Sequence, residues 1–499
     1  MSSSKKIFGG LIWSVLYNFI NAIYGFISVP ILLTVYGKEQ YGIIGLAMSI
    51  NVYLRLMDMG LSSGNVKFFS SFIVKNDKVQ LKKAFSSSLV LYLIIGFVNL
   101  CLVYLISVFS DKIFTLNIDQ KNTLDILLYI LMITSFGSWV SSSLEQFIRA
   151  NDLLGWQQRI ILIPKVLQFF LIFIALYFEL DLIIYFALTT LSVLLPLPIY
   201  VFKIKKINST ITFTPKYYKD VFNSVLLYSI SIFSFSIFQF SANYLRPLIL
   251  GAKVGIESVA DYRILEGFAN VILIVGTSFV GVILPTASKI RALDDKNKEL
   301  QIAFDGTKYI SIFLASIIFG FVLVSKEFIQ IYVGKSYLHL VVWLNVWIIS
   351  LLSTHISALS GLVLTNNNLK KILYMSGIST VISLILAWFL VGYFKVGGVV
   401  IGYTIYTIMQ LLFYYIYYYP KVMHYDTIKL LKNSFLKPVL PIFLIFIFLF
   451  FVEDLIVLDN LYLKIIIIEL IFAVLIIPII YFKILNTNDK LFIFGLIKK

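Results

Sequence analysis

The feature that most constrains this chain is its succession of long apolar segments. A bilayer core about 30 Å thick takes roughly 20 apolar residues per helix, and by that ruler the 499 residues contain about fourteen spans. They fall at approximately 7–33, 41–64, 84–109, 123–147, 161–178, 182–202, 221–249, 260–286, 303–324, 339–364, 372–391, 398–419, 438–452 and 463–483. The short connections Glu179–Asp181 and Gly392–Gly397 separate helices that a sliding window would merge. Composition agrees, since 60% of residues are apolar and 13% charged, about half the usual charged share. A soluble chain of this length would need polar skins for roughly three domains, and the polar residues are too few to supply them. An ordinary soluble enzyme is excluded. The expectation is an all-α polytopic membrane protein.

Loop charge sets the orientation. One set of connections holds Lys67, Lys75, Lys78, Lys82 and Lys83, then Lys203, Lys205, Lys206, Lys216 and Lys219. It continues with Lys289, Arg291, Lys296 and Lys298, then Lys421, Lys429, Lys432 and Lys437. This set and the termini carry about 28 basic residues against about 7 in the alternate set, which puts both termini in the cytoplasm. The net charge of +16 is therefore read as a topology signal with anionic lipid as partner, not as a nucleic-acid surface. The expected localisation is a bacterial plasma (inner) membrane. Single cysteines at Ser4 and Asn488, in a Cys101→Ser background, are expected to resist a membrane-impermeant thiol reagent in intact cells. Labelling of either from outside would overturn this topology.

Several chemistries drop out. No segment between spans exceeds about 20 residues, too short for a nucleotide-binding or glycosyltransferase domain of ordinary size. Gly334-Lys335-Ser336 lacks the earlier glycine of a phosphate loop, Ile329 standing there. His339, His355 and His424 have no metal-ligand spacing, and the single Cys101 forms no intrachain disulfide. No cofactor is expected.

Polar residues inside spans are costly in lipid and usually face a bundle interior or a water-filled cavity. Ser14, Asn18, Asn21, Gly25 and Ser28 recur on one face of span 1, and Asn51, Arg55, Asp58 and Ser62 on one face of span 2. Span 4 carries Ser135, Ser138, Ser142, Glu145 and Arg149; span 7 carries Ser229, Ser236, Gln239, Asn243 and Arg246; span 8 carries Arg263, Glu266, Asn270 and Thr277. The competing explanation is helix packing through small polar residues. Arg55/Asp58 and Arg263/Glu266 are also spaced as i,i+3 ion pairs, with each acid balancing its neighbour. Arg246, Lys165 and Lys308 lie nearer span ends, where long side chains snorkel. His355 lies off the serine face of its helix, as a packed neutral histidine does.

Stripes 1 and 7 superpose at an offset of about 218 residues, pairing Asn18 with Ser236, Asn21 with Gln239, Gly25 with Asn243 and Ser28 with Arg246. Pro30 and Pro247 match within one residue, and Ser70 matches Ser288. An even offset of six spans gives two halves of the same orientation, a transporter design. The expected division is 1–205 (spans 1–6), 206–420 (spans 7–12) and 421–499 (spans 13–14 and a tail).

The segment Val35-Tyr36-Gly37-Lys38-Glu39-Gln40-Tyr41-Gly42, running on to Asp58-Met59-Gly60-Leu61, resembles the amino-terminal signature of bacterial polysaccharide-biosynthesis membrane proteins. These are lipid-linked oligosaccharide flippases of the O-antigen and capsule type, in the superfamily of the multidrug extruders. Many carry Arg soon after the signature, where Lys67 stands here. Gly251–Tyr262 and Leu284-Pro285 look like counterparts in the second half. The resemblance implies two six-helix lobes around a cavity lined by spans 1, 2, 7 and 8, with spans 13 and 14 as an added pair. It also implies an oligosaccharide on a polyprenyl pyrophosphate as substrate, for O-antigen, lipopolysaccharide, capsule or exopolysaccharide assembly. A polysaccharide polymerase and a chain-length regulator are possible partners.

The residues suit that cargo. Arg55, Arg246 and Arg263 are candidate pyrophosphate contacts, because guanidinium binds phosphate bidentately and keeps its charge. Asn18, Asn21, Asn51, Gln239, Asn243 and Asn270 are candidate sugar contacts. Asp58, Glu145 and Glu266 are candidates for charge balance or for coupling to a proton or sodium ion. The alternatives are a lipid II flippase, a multidrug extruder and, less so, a membrane polymerase. An extruder of cationic drugs wants an acid-bearing cavity, and a polymerase wants a large outer loop.

Overall fold

A computed structural model of the protein describes residues 3–273, 296–364, 369–456, 458–485, 487 and 490. Thr277, Leu284, Pro285, Ser288, Lys289, Arg291 and Asn488 lie outside the described residues. Eleven helices among the described residues are long and apolar enough to cross a membrane. One of them, Leu16–Leu54, runs from span 1 into span 2. The break between these two is Gly37, whose φ of 76° and ψ of 171° suit glycine and strain other residues. Span 7 is the continuous helix Lys219–Tyr244, and a helix over 256–273 opens span 8. The chain is thus an all-α multi-pass membrane protein, consistent with about fourteen spans.

The ends of these helices follow from their sequence. Asp77 caps span 3 (Lys78–Val108) by accepting from the Gln80 backbone N–H at 2.9 Å. Asn117 and Gln120 form a reciprocal capping box at the start of span 4 (Ile118–Ala150). Span 5 (Leu154–Phe178) ends at Glu179, in the left-handed region at φ 48°, and Asp181 caps span 6 (Leu182–Ile207) at once. The connection Glu179–Asp181 is therefore a turn, as expected.

By contact the chain groups into two compact units, residues 1–264 with 384–399 and residues 265–383 with 400–499. The lobes expected from the repeat divide at 205/206, whereas residues 219–264 pack within the first unit. Contact grouping follows packing, and a repeat in sequence need not coincide with it. In the first unit, Phe147 meets Phe69 and Phe85 edge-to-face in a core that includes Trp139, Tyr200 and Val225. Small and hydroxylated residues let helices approach: Ser88 and Ser143 hydrogen-bond at 2.9 Å across spans 3 and 4. Gln168 donates to the Thr189 carbonyl at 3.0 Å across spans 5 and 6.

In the second unit, span 9 (Lys296–Leu323) packs against the C-terminal pair. Phe319 stacks on Phe446 at 5.0 Å, and Lys464 bridges Glu327 at 2.6 Å. Spans 13 and 14 are thus integral to the second unit. His355 is buried as expected; its Nδ1 donates to the Leu352 carbonyl at 2.7 Å and Nε2 meets Tyr415 Oη at 2.8 Å.

Candidate functional site

Two cavities with polar side chains in their walls lie within the first unit. The Gly37 end is termed outer, and the end with the Asn76 and Asp152 turns inner, after the orientation expected from loop charge. The outer cavity, about 460 Å³, is bounded by spans 1, 2, 4, 5 and 6 and by Arg263 at the start of span 8. The inner cavity, about 370 Å³, is bounded by spans 1, 2, 4, 5 and 6 nearer the N-terminus. They meet at a waist formed by Tyr17, Arg55, Ser138, Lys165, Gln168 and Val193, which line both.

Local structure places the waist cations. The chain tightens into a 3₁₀ turn at Arg55–Met57 before resuming as the helix Asp58–Val74, and this turn carries Arg55 toward span 4. There Arg55 Nη2 donates to Ser138 Oγ. One turn away, Ser135 Oγ donates to Asn51 Oδ1 at 2.8 Å. The serine face of span 4 therefore both packs span 2 and lines the cavities. Lys165 follows Pro164 inside span 5 and sits about 17 Å along that helix at 1.5 Å per residue. Its Nζ lies 5.4 Å from the centre of the Tyr24 ring. Tyr24 Oη in turn meets Tyr185 Oη at 3.3 Å.

The ion pair that the i,i+3 spacing of Arg55 and Asp58 allows does not form. Asp58 Oδ1 accepts from Tyr92 Oη at 2.6 Å, and Tyr92 Oη accepts from Gln146 Nε2 at 2.5 Å. Asn65 Nδ2 completes the chain by donating to Gln146 Oε1 at 3.0 Å. A neutral network satisfies Asp58, so Arg55 turns to span 4 instead. Glu145 pairs with Arg149 on its own helix at 2.8 Å in the inner cavity wall. Arg263 Nη2 donates to the Gly45 carbonyl at 2.9 Å and to Ser49 Oγ at 2.7 Å.

Of the residues singled out from sequence, the structure brings together Asn51, Arg55 and Arg263 in the outer cavity and Asn18, Arg55 and Glu145 in the inner one. Arg246 is buried, with 1% exposure, but lines neither cavity. Asn21, Gln239, Asn243 and Asn270 are exposed outside both, and Glu266 is half-buried in the second unit. Lys165 was read as a snorkelling end residue because span 5 was started at 161; the helix begins at Leu154, and Lys165 is mid-span. Its signal was the Pro164-Lys165 pair inside an apolar run.

Residues 7–291 match the family model for polysaccharide biosynthesis proteins. The chain belongs to that family. Among solved structures it is similar to the lipid II flippase MurJ in an inward closed conformation. The two are 17% identical with a TM-score of 0.71, over 93% of this chain and 98% of that one. It is also similar to an inward-facing multidrug resistance MATE family transporter of the MOP superfamily. There the identity is 16% and the TM-score 0.63, over 78% of this chain and 93% of the other. No curated protein matches in sequence. This member of the polysaccharide biosynthesis family thus shares the fold of the flippase and exporter superfamily expected from the segments 35–42 and 58–61.

Proposed function

We propose that the protein is a flippase that moves an oligosaccharide repeat unit on polyprenyl pyrophosphate from the cytoplasmic to the outer leaflet. The observation that carries this reading is the charge of the outer cavity. Arg55, Lys165 and Arg263 line it, and among the described residues no carboxylate does. Among the described residues no carboxylate lies within ion-pair distance of Arg55 or Lys165. Two cations held mid-membrane opposite neutral partners are costly until an anion arrives. A pyrophosphate diester brings two negative charges and oxygens that match guanidinium geometry.

A cationic drug would meet like charge here, which disfavours the multidrug reading. Lipid II carries the same pyrophosphate, so the cavity charge suits it equally, and the family match favours a polysaccharide repeat unit. The flipped unit would then pass to a polymerase and a chain-length regulator. With the termini in the cytoplasm, an inside-negative potential assists outward movement by about 2.3 kcal/mol per charge per 100 mV.

Transport by alternating access requires the outer end to open. In this structure Lys38 bridges Asp261 at 2.7 Å, and the Thr115 backbone N–H donates to the Gly251 carbonyl at 2.9 Å. A short bis-methanethiosulfonate crosslink between cysteines replacing Lys38 and Asp261 is expected to stop polymer export, with a reductant restoring it. Export unchanged by a confirmed crosslink would show that these segments do not separate in the cycle.

Deleting the gene and analysing the lipid-linked intermediates by mass spectrometry tests the substrate class. Accumulation of a polyprenyl-pyrophosphate oligosaccharide on the cytoplasmic side is expected. Accumulation of lipid II would transfer the assignment to peptidoglycan.

A further inference from the structure

We propose that the inner cavity is a recognition pocket for the sugar ring nearest the pyrophosphate, selecting a neutral, hydroxyl-bearing sugar. The proposal rests on the flippase reading for its occupant. Its own support is the wall of this cavity. Gln158 is 7% exposed and lines the cavity, yet its Oε1 has no hydrogen-bond partner among the described residues. Arg149 Nε, in the same wall, is also buried without one, although Nη2 of the same guanidinium pairs with Glu145. Buried polar atoms in folded proteins are nearly always partnered, and those that are not ask for a missing ligand or water. Here they point to a polar guest in about 370 Å³, within the range of small-molecule pockets.

The donors and acceptors indicate what kind. A sugar hydroxyl donates one hydrogen bond and accepts others. A carboxylate beside a guanidinium offers both roles within one hydroxyl spacing, and Gln158 adds an amide. Tyr200, 1% exposed, belongs to the same wall, its ring centre 6.1 Å from that of Trp156. Glu145 repels an acidic sugar at this position, so a uronic acid is disfavoured. Register follows from the waist: with the pyrophosphate at Arg55 and Lys165, which line both cavities, the adjoining ring reaches the inner one directly.

The test uses the full-length protein purified in nanodiscs. The probes are a short-chain polyprenyl pyrophosphate, bare or carrying a single glucose, galactose or N-acetylglucosamine. At least one glycosylated probe is expected to bind at least tenfold tighter than the bare lipid. Gln158→Leu and Glu145→Gln are each expected to erase that preference, changing bare-lipid affinity less than about twofold. Gln158→Leu removes an unpartnered buried group, so its melting temperature is expected to stay level or rise, whereas a structural glutamine would lower it. That variant alone decides the matter if Glu145→Gln does not fold. A preference intact in Gln158→Leu, or no preference in the wild type, means a water-filled space and overturns the proposal. Arg55→Ala separates the two readings. If it leaves bare-lipid binding intact while Gln158→Leu still erases the sugar preference, the pyrophosphate contact fails and the sugar pocket stands.

Discussion

Replacing Arg55 with Ala is expected to abolish polymer export while leaving protein in the membrane. Truncating one partner of a buried charge pair costs about 2–5 kcal/mol, or roughly 30- to 4000-fold at 1.4 kcal/mol per tenfold. Arg55→Lys keeps the charge and loses the fork, so a partial activity is expected. The paired change Arg55→Ala with Asp58→Ala sharpens the test. Were Arg55 a structural partner of Asp58, the double variant would recover abundance and export. In the structure Asp58 accepts from Tyr92, and Arg55 donates to Ser138. The double variant is therefore expected to be as inactive as the single one, and a fully active double variant would remove Arg55 from the substrate path. Polymer yield together with membrane abundance measures both.

The largest expected effect on folding comes from Gly60. A Cβ there would collide with the backbone of Ser229, where the helix Asp58–Val74 crosses span 7, and Lys67 Nζ lies 3.8 Å from the centre of the Tyr228 ring further along the same contact. Backbone cannot rotate aside as a side chain can. Overpacking of this kind costs about 1–3 kcal/mol, occasionally more, and a loss of that size changes cellular abundance several-fold. Gly60→Val is expected to deplete the protein from the membrane. Gly25→Ala, where a Cβ would meet nothing within 4 Å, is expected to leave abundance unchanged. Immunoblots of membrane fractions compare the two, and normal levels of Gly60→Val would contradict the close crossing.

What was legible in the sequence is what depends on local pattern. Approximate span positions, the tight connection Glu179–Asp181 and the polar stripes of spans 1, 2 and 4 all follow from periodicity over a few residues. Arg55, Asn51 and Arg263 were placed on the polar faces that line the outer cavity. What was not legible depends on contacts distant in sequence. Asp58 and Tyr92 lie 34 residues apart, so nothing local showed that a tyrosine rather than Arg55 satisfies the acid. Lys165 was misjudged because the polar run Trp156-Gln157-Gln158-Arg159 reads as a loop, whereas packing of Trp156 near Tyr200 keeps it helical. That one boundary error hid the waist cation and Gln158 together. Gln239 and Asn243 of span 7 share a helix face by spacing and are exposed, outside the two cavities of the first unit.

On the proposed function, a cation-lined path through the first unit carries an anionic, lipid-linked sugar across the bilayer. Its most direct test is reconstitution of the purified protein in lipid vesicles containing a fluorescent polyprenyl-pyrophosphate oligosaccharide. Leaflet exchange is read by quenching from outside. Wild-type protein is expected to exchange the probe well above protein-free vesicles, and the Arg55→Ala, Lys165→Ala double variant to match them. Bare polyprenyl pyrophosphate is expected to compete, and a cationic dye is not. Vesicles in which the wild type moves the cationic dye and leaves the pyrophosphate lipid in place would contradict the account.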